Sequence, residues 1–221
     1  MLEFAISLVA AYLLGSVNGA LLLGRLRGVD IRTQGSGNAG GTNALRTQGC
    51  LFALGVVLID TGKAWLAVRV LPDLWVIDQA GSGVGLWAAA ACGLAAVFGH
   101  VYPIFHGFRG GKGVATVLGA LLALSPLLLA GVLAIWLMMM FVFGFVGLGS
   151  MVAAASMPLL VLWAAAAGNI SAGDFLPLLW FGILCAAFVL WTHRSNIARM
   201  RAGTEPRAKS LWLFGRFRDR S

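Results

Sequence analysis

Residues 126–145 read PLLLAGVLAIWLMMMFVFGF, twenty positions without a charge. About 20 apolar residues in a helix cross the ~30 Å hydrocarbon core of a bilayer, so this stretch predicts a transmembrane helix, with Pro126 marking a break before it. Working outward, comparable runs lie at 4–24, 50–71, 84–102, 114–124, 147–167 and 174–191. The chain is 60% hydrophobic and 11% charged, with a mean hydropathy of +0.90, whereas a soluble domain carries about 25% charged residues. The expected fold class is therefore an all-α membrane protein, one domain over 1–221 built as a bundle of about seven transmembrane helices. The run at 114–124 is short for a full crossing and reads as a half-helix packed inside the bundle. Met1-Leu2-Glu3-Phe4 lacks a basic residue. The run after it, extending to about residue 24, is long for a signal peptide and is expected to remain as the first span.

The charge pattern sets the expected orientation. Of 16 Lys and Arg residues, four lie in 25–46, two in 109–112 and eight in 194–220, while the turns at 72–83 and 168–174 hold Asp73, Asp78 and Asp174 and no base. Basic loops resist translocation, which puts the three basic segments on the cytoplasmic side and the N-terminus outside. The stretch 114–192 must then cross an even number of times, and four crossings fit its length. A net charge of +8 could suit nucleic acid, but its location between apolar spans points to anionic lipid or an anionic substrate. Cys50, Cys92 and Cys185 lie far apart in apolar stretches and read as packing residues. Gly15 and Gly19 make a small-residue helix contact. Gly81-Ser82-Gly83-Val84-Gly85 reads as a turn, since no predicted strand precedes it. The end of the chain, 207–221, mixes Arg and Lys with Trp212, Phe214 and Phe217 and reads as an interfacial anchor.

The polar chemistry is gathered in three same-side segments, expected to form one composite anion site. In Phe108-Arg109-Gly110-Gly111-Lys112-Gly113, missing side chains let backbone N–H groups approach an anion, and a helix starting near 114 would aim its positive end there. The spacing is not that of a Walker loop, and Val114 stands where a metal-binding hydroxyl would follow the lysine. The segment from Gly35 to Arg46 offers Ser36 and Thr42 hydroxyls, Asn38 and Asn43 amides and the Arg46 guanidinium, suited to phosphate or a developing oxyanion. His193, Arg194 and Asn196 follow the last span, and His193 has the right chemistry to accept a hydroxyl proton or orient an oxygen. Asp60 and Lys63 lie one turn apart inside the second span, where each charge costs about 2.5–3.5 kcal/mol, so they are expected to pair or to face a polar cavity. No Gly-x-Ser-x-Gly elbow, no His-x-x-x-x-Asp box and no carboxylate cluster for a divalent metal is present in the sequence. No metal and no cofactor are expected.

Together the segments resemble the bacterial acyl-phosphate-dependent glycerol-3-phosphate acyltransferase family. The resemblance runs through Ser36 to Arg46, with Gly41 where alanine is usual, and through Gly99-His100, Pro103 and Phe108 to Thr116, with Arg109 where lysine is commoner. It continues through His193, Arg194, Asn196, Ile197, Arg199, Gly203 and Glu205. It implies transfer of a fatty acyl group from acyl phosphate to the 1-hydroxyl of sn-glycerol 3-phosphate, giving lysophosphatidic acid and phosphate at the bacterial inner membrane. The implied catalytic residues are Ser36, Arg46, His193 and Asn196. The implied substrate-binding residues are Asn38, Thr42, Asn43, Arg109, Gly110, Gly111, Lys112, Gly113 and Arg194. No nucleic acid and no obligatory protein partner are expected. The competing class is a membrane carrier for phosphate or glycerol 3-phosphate, which would want inverted repeats around a midplane site.

Overall fold

A computed structural model describes residues 2–72, 84–208 and 212. Its helices are α1 (Leu2–Ser16), α2 (Gly19–Leu26), α3 (Gly41–Gln48), α4 (Cys50–Arg69), α5 (Val84–Val101), α6 (Val114–Leu124), α7 (Pro126–Phe143), α8 (Val146–Ala166), α9 (Ala172–Thr192) and α10 (Arg194–Arg201). No strand occurs among the described residues. Five helices, α4, α5, α7, α8 and α9, are long and apolar enough to cross a membrane. The bent pair α1 and α2 gives a sixth candidate. Each expected apolar run is thus helical, but α6 has only 11 residues, or about 16 Å at ~1.5 Å per residue. Ser125 caps α7 by accepting from Leu128 N at 3.4 Å, and Pro126 occupies its first turn, where a missing N–H costs nothing.

The run 4–24 differs from its expectation as one continuous span: α1 and α2 meet at 47°. Asn18 ends the first helix and starts the second, accepting from Leu21 N at 3.1 Å. The break exposes Val17 O and Gly19 N inside the bundle, where every backbone group needs a partner. Lys63 Nζ donates to Val17 O at 2.8 Å, and Asp60 Oδ1 accepts from Gly19 N at 2.9 Å. The break also splits the expected glycine face in two. Gly15 lies against the Ala96 backbone of α5, while Gly19 faces Val56 and Ile59 of α4.

Contacts between loops define one end of the bundle. Arg32 Nη1 donates to His106 O at 3.1 Å, Thr192 Oγ1 to Lys112 O at 3.1 Å, and Ala208 N to Gly144 O at 2.8 Å. This end carries Arg25, Arg27, Arg32, Arg46, Arg109, Lys112, Arg194, Arg199, Arg201 and Arg207. At the other end Ser7 Oγ donates to Leu71 O at 3.2 Å, near Glu3 and Arg69, and the α8–α9 turn leads to Asp174, whose Oδ2 accepts from Ser171 Oγ at 2.7 Å. Residues 81–83 of the glycine turn lie outside the described residues. Of the terminal anchor, Arg207, Ala208 and Trp212 are described, and the Arg207 guanidinium lies over the rings of Phe145 and Trp212, at 4.6 and 4.0 Å. Cys92 and Cys185 are buried as expected. Cys50 is not: as the first residue of α4 it faces outward.

Gly15 and Gly62 test the packing. A Cβ on Gly15 would collide with the main chain of Ala96, whereas one on Gly62 meets nothing within 4 Å. Gly15→Ala is expected to destabilise the protein by about 1–3 kcal/mol, as overpacking does, and Gly62→Ala by no more than about 0.5 kcal/mol. Thermal unfolding in detergent reads the contrast.

Candidate active site

The first segment is held by one buried amide. Asn43, on the first turn of α3, accepts from Ser36 N at 2.9 Å through Oδ1 and donates through Nδ2 to Ile31 O at 3.1 Å and Gln34 O at 3.0 Å. The side chain is 1% exposed, and these three bonds commit it to folding the loop. Gly35 and Gly37 take positive φ, 55° and 72°, a region open to residues without Cβ, and so turn Ser36 outward. Asn18 Nδ2 donates to Ala39 O at 3.2 Å and anchors the loop to the α1–α2 break.

The second segment folds back beneath the end of α5. Gly107 and Phe108 both have φ near +60°, reversing the chain so that Gly110 N donates to Val101 O at 3.1 Å and Gly111 N to His100 O at 3.2 Å. The amides of Gly110 and Gly111 are thus engaged within the hairpin. Their bareness serves close packing, since a Cβ on Gly110 would strike His100 O and Pro103, and one on Gly111 would strike the His100 ring and Ala39 O. Gly113, at φ 85°, caps α6.

Lys112 carries the cationic chemistry. Its Nζ donates to Asn196 Oδ1; Asn196 Nδ2 donates to Glu205 Oε1 at 2.6 Å, and Arg199 Nε donates to Glu205 Oε2 at 2.7 Å. Burial is the main cause that lowers the lysine to about 8, followed by Arg199, while Glu205 acts in the opposite sense. His193 Nδ1 lies 2.8 Å from Val189 O, an acceptor, so the proton sits on Nδ1 and Nε2 keeps its lone pair. Burial lowers this histidine to about 4, leaving it neutral at physiological pH.

These parts surround a polar cavity of about 300 Å³. Ser36, Asn38, Arg109, Gly110, Gly111, Lys112 and Arg194 form its wall with Tyr102, Thr192 and Ser195. Thr42, Asn43, Arg46, Gly113, His193 and Asn196 stand outside that wall. His193 and Asn196 are buried behind it, 3% and 6% exposed, and Arg46 is exposed with Nη2 on Pro206 O at 3.4 Å. Two features escaped the sequence reading. Glu205, visible only as a motif position, is the carboxylate that organises Asn196 and Arg199. The second is an apolar groove of about 410 Å³ between α1, α5 and α9, lined by Tyr12, Leu94, Phe98, Leu184 and Phe188 among others. Tyr102 stands between the two spaces: it lines the cavity, and its ring centroid lies 5.1 Å from Phe98 and 6.1 Å from Phe188. Each of these aromatics alone looks like an ordinary span residue, so the sequence offers no signal for the groove.

Known proteins carry the same pattern. Residues 5–203 match the family described as Glycerol-3-phosphate acyltransferase. A glycerol-3-phosphate acyltransferase of Geobacter sulfurreducens is 43% identical over 211 residues, covering 95% of this chain and all of that one. Its counterpart in Halalkalibacterium halodurans is 42% identical, over 89% of this chain and 91% of that one. The crystal structure of PlsY, described as an integral membrane glycerol 3-phosphate acyltransferase, matches in its glycerol 3-phosphate form with a TM-score of 0.78 and 34% identity, covering 92% of this chain and 94% of that one. Its lysophosphatidic acid form matches with a TM-score of 0.76. A multi-pass helical bundle, a cation-walled cavity fed by three loops, and relatives matched over almost their whole length place this chain in the glycerol-3-phosphate acyltransferase family.

Proposed function

We propose that this chain transfers a fatty acyl group from acyl phosphate to the 1-hydroxyl of sn-glycerol 3-phosphate, giving lysophosphatidic acid and phosphate. The observation that carries the reading is the neighbourhood of Tyr102, which lines a cavity walled by Arg109, Lys112 and Arg194 and packs against Phe98 and Phe188 of an apolar groove. A phosphate-bearing acceptor suits the first space and a fatty chain the second. The chain acts as one membrane domain of seven crossings, with α6 as the short one, N-terminus outside and the basic end in the cytoplasm, because 10 described bases gather at that end against Arg69 at the other. A bacterial inner membrane is the corresponding location.

Acyl phosphate is an activated donor, so the glycerol hydroxyl can attack the acyl carbonyl directly as the bond to phosphate breaks; neither an enzyme nucleophile nor a metal is required. Lys112, Arg109 and Arg194 hold the acceptor phosphate. Ser36 and Asn38 supply hydrogen bonds at the reacting carbonyl, on a loop that Asn43 holds in shape. Arg46 reaches the donor phosphate by releasing the Pro206 carbonyl, a long bond on an exposed side chain, with Thr42 beside it on α3. His193 Nε2 and Asn196 orient the acceptor side. With His193 lowered to about 4 and a phosphate monoester titrating near ~6, a phosphate oxygen is the stronger base. The hydroxyl proton therefore goes to phosphate.

Purified protein in lipid, given palmitoyl phosphate, is expected to release phosphate only when glycerol 3-phosphate is also present. Ser36→Ala should slow turnover by about 10²–10³-fold, the scale of one oxyanion donor, and radiolabelled palmitoyl phosphate without acceptor should leave no label on the protein. Uptake of glycerol 3-phosphate into vesicles without acylation would instead make this a carrier. Because Lys112 is charged only below about 8, kcat/KM for glycerol 3-phosphate should fall as pH rises through that value. Lys112→Arg should lack this limb, since a guanidinium stays charged. For topology, Gln48→Cys and Asn169→Cys in a Cys50→Ser background should react with an impermeant thiol reagent from opposite sides of the membrane. Labelling of both from one side would refute the seven-crossing arrangement.

A further inference from the structure

Three buried charge-bearing side chains have no part in the proposed acyl transfer. Asp60 and Lys63 of α4 and His100 of α5 are 1%, 4% and 2% exposed and touch one another inside the bundle. Lys63 Nζ makes three bonds: Asp60 Oδ1 at 2.9 Å, Val17 O at 2.8 Å and His100 Nδ1 at 3.0 Å. His100 Nδ1 also lies 3.3 Å from Asp60 Oδ1, so the ring meets both charges through Nδ1 and turns Nε2 away from them. That nitrogen lies beneath Gly111, where a Cβ would strike it. Asp60 Oδ2 is buried without a hydrogen-bond partner, so the carboxylate is only half satisfied. Satisfying the helix break accounts for Asp60 and Lys63 but not for His100, whose contacts lead elsewhere.

Its connections lead to both substrate loops. Through Gly19 N and Val17 O, Asp60 and Lys63 fix the two sides of the α1–α2 break. Asn18, at the centre of the break, reaches Ala39 O of the first loop at 3.2 Å. His100 holds the second loop twice, by its carbonyl on Gly111 N at 3.2 Å and by its ring against Gly111. Ala39 O itself abuts Gly111, so the two loops meet directly above the cluster. We propose that Asp60, Lys63 and His100, acting through Asn18, are positioning residues that set the spacing between the first and second loops and so align donor with acceptor. This rests on the acyl-transfer reading of the cavity.

Two variants test it. The double variant Asp60→Asn/Lys63→Met removes both charges together and leaves no unpaired ion, though it also takes the donor from Val17 O. Asn18→Ser keeps a cap for α2 but is too short to reach Ala39. Each is compared with wild type by thermal unfolding, by steady-state kinetics with palmitoyl phosphate and glycerol 3-phosphate, and by hydrogen exchange of peptides covering 35–43 and 107–113. In protein that folds, positioning predicts kcat/KM lower by about 100-fold, the scale of a 1 Å misalignment, a raised KM for glycerol 3-phosphate, and faster exchange in both loop peptides. A merely structural role would reduce the active fraction, lowering kcat while KM and loop exchange stay at wild-type values, and that result overturns the proposal, as would wild-type behaviour throughout. If the double variant does not fold, Asn18→Ser decides by the same readings. If wild-type protein shows no acyl transfer, the functional reading fails separately and loop exchange alone decides the positioning role.

Discussion

A backbone amide or carbonyl left bare in hydrocarbon costs several kcal/mol, and this constraint at the α1–α2 break governs much of the rest. An unbroken first helix would satisfy its own backbone. Breaking it at Asn18 frees Val17 O and Gly19 N, and only side chains from neighbouring helices can meet them. Here the ammonium of Lys63 serves the carbonyl and the carboxylate of Asp60 the amide, and because the two lie three residues apart on α4 they also pair with each other at 2.9 Å. In return, the break places a polar residue, Asn18, where it can grip the first loop from below.

The same economy recurs at the loops, where few bonds do several tasks. Arg32 pairs with Asp30 at 2.8 Å while its Nη1 reaches His106 O and Arg109 O, tying the first segment to the second. Thr192 Oγ1 donates to Lys112 O and so ties the second segment to the end of α9, one residue before His193. Arg46 touches Pro206 O and closes the circuit between first and third. The three segments thus hang together on side-chain bonds to carbonyls, which fix the position of each loop.

How much of this was legible in the sequence varies with the range of the interaction. The apolar runs, the Pro126 boundary and the gathering of bases at one end follow from local composition. The pairing of Asp60 with Lys63 was legible because both lie on one helix turn. His100, the third member, was not, since it comes from α5, 37 residues beyond Lys63. The hydrogen bonding of Gly110 and Gly111 was not legible, because glycine permits an open amide or close packing and only the partner decides: here His100 O takes the Gly111 amide. Asn43 looked like a substrate ligand for the same reason, since its amide is equally suited to phosphate and to its own loop. The groove beside Phe98 needs three helices to exist, so no single stretch of sequence contains it.

The choice of partner for Lys112 shows how the cavity can hold a cation ready without a counter-ion in the way. Glu205 is close enough to act on Lys112 electrostatically, yet the lysine bonds to the Asn196 amide, and the carboxylate is engaged by Asn196 Nδ2 and Arg199 Nε. A direct ion pair at this depth would have to be broken for each phosphate bound, at a cost well above that of a neutral bond. An amide between the two charges keeps Lys112 oriented and leaves its positive charge available. Burial works against that charge, which is why the group sits near 8 and not in the usual lysine range. A dianionic ligand entering the cavity would restore the stability of the charged form, so binding and protonation of Lys112 reinforce each other.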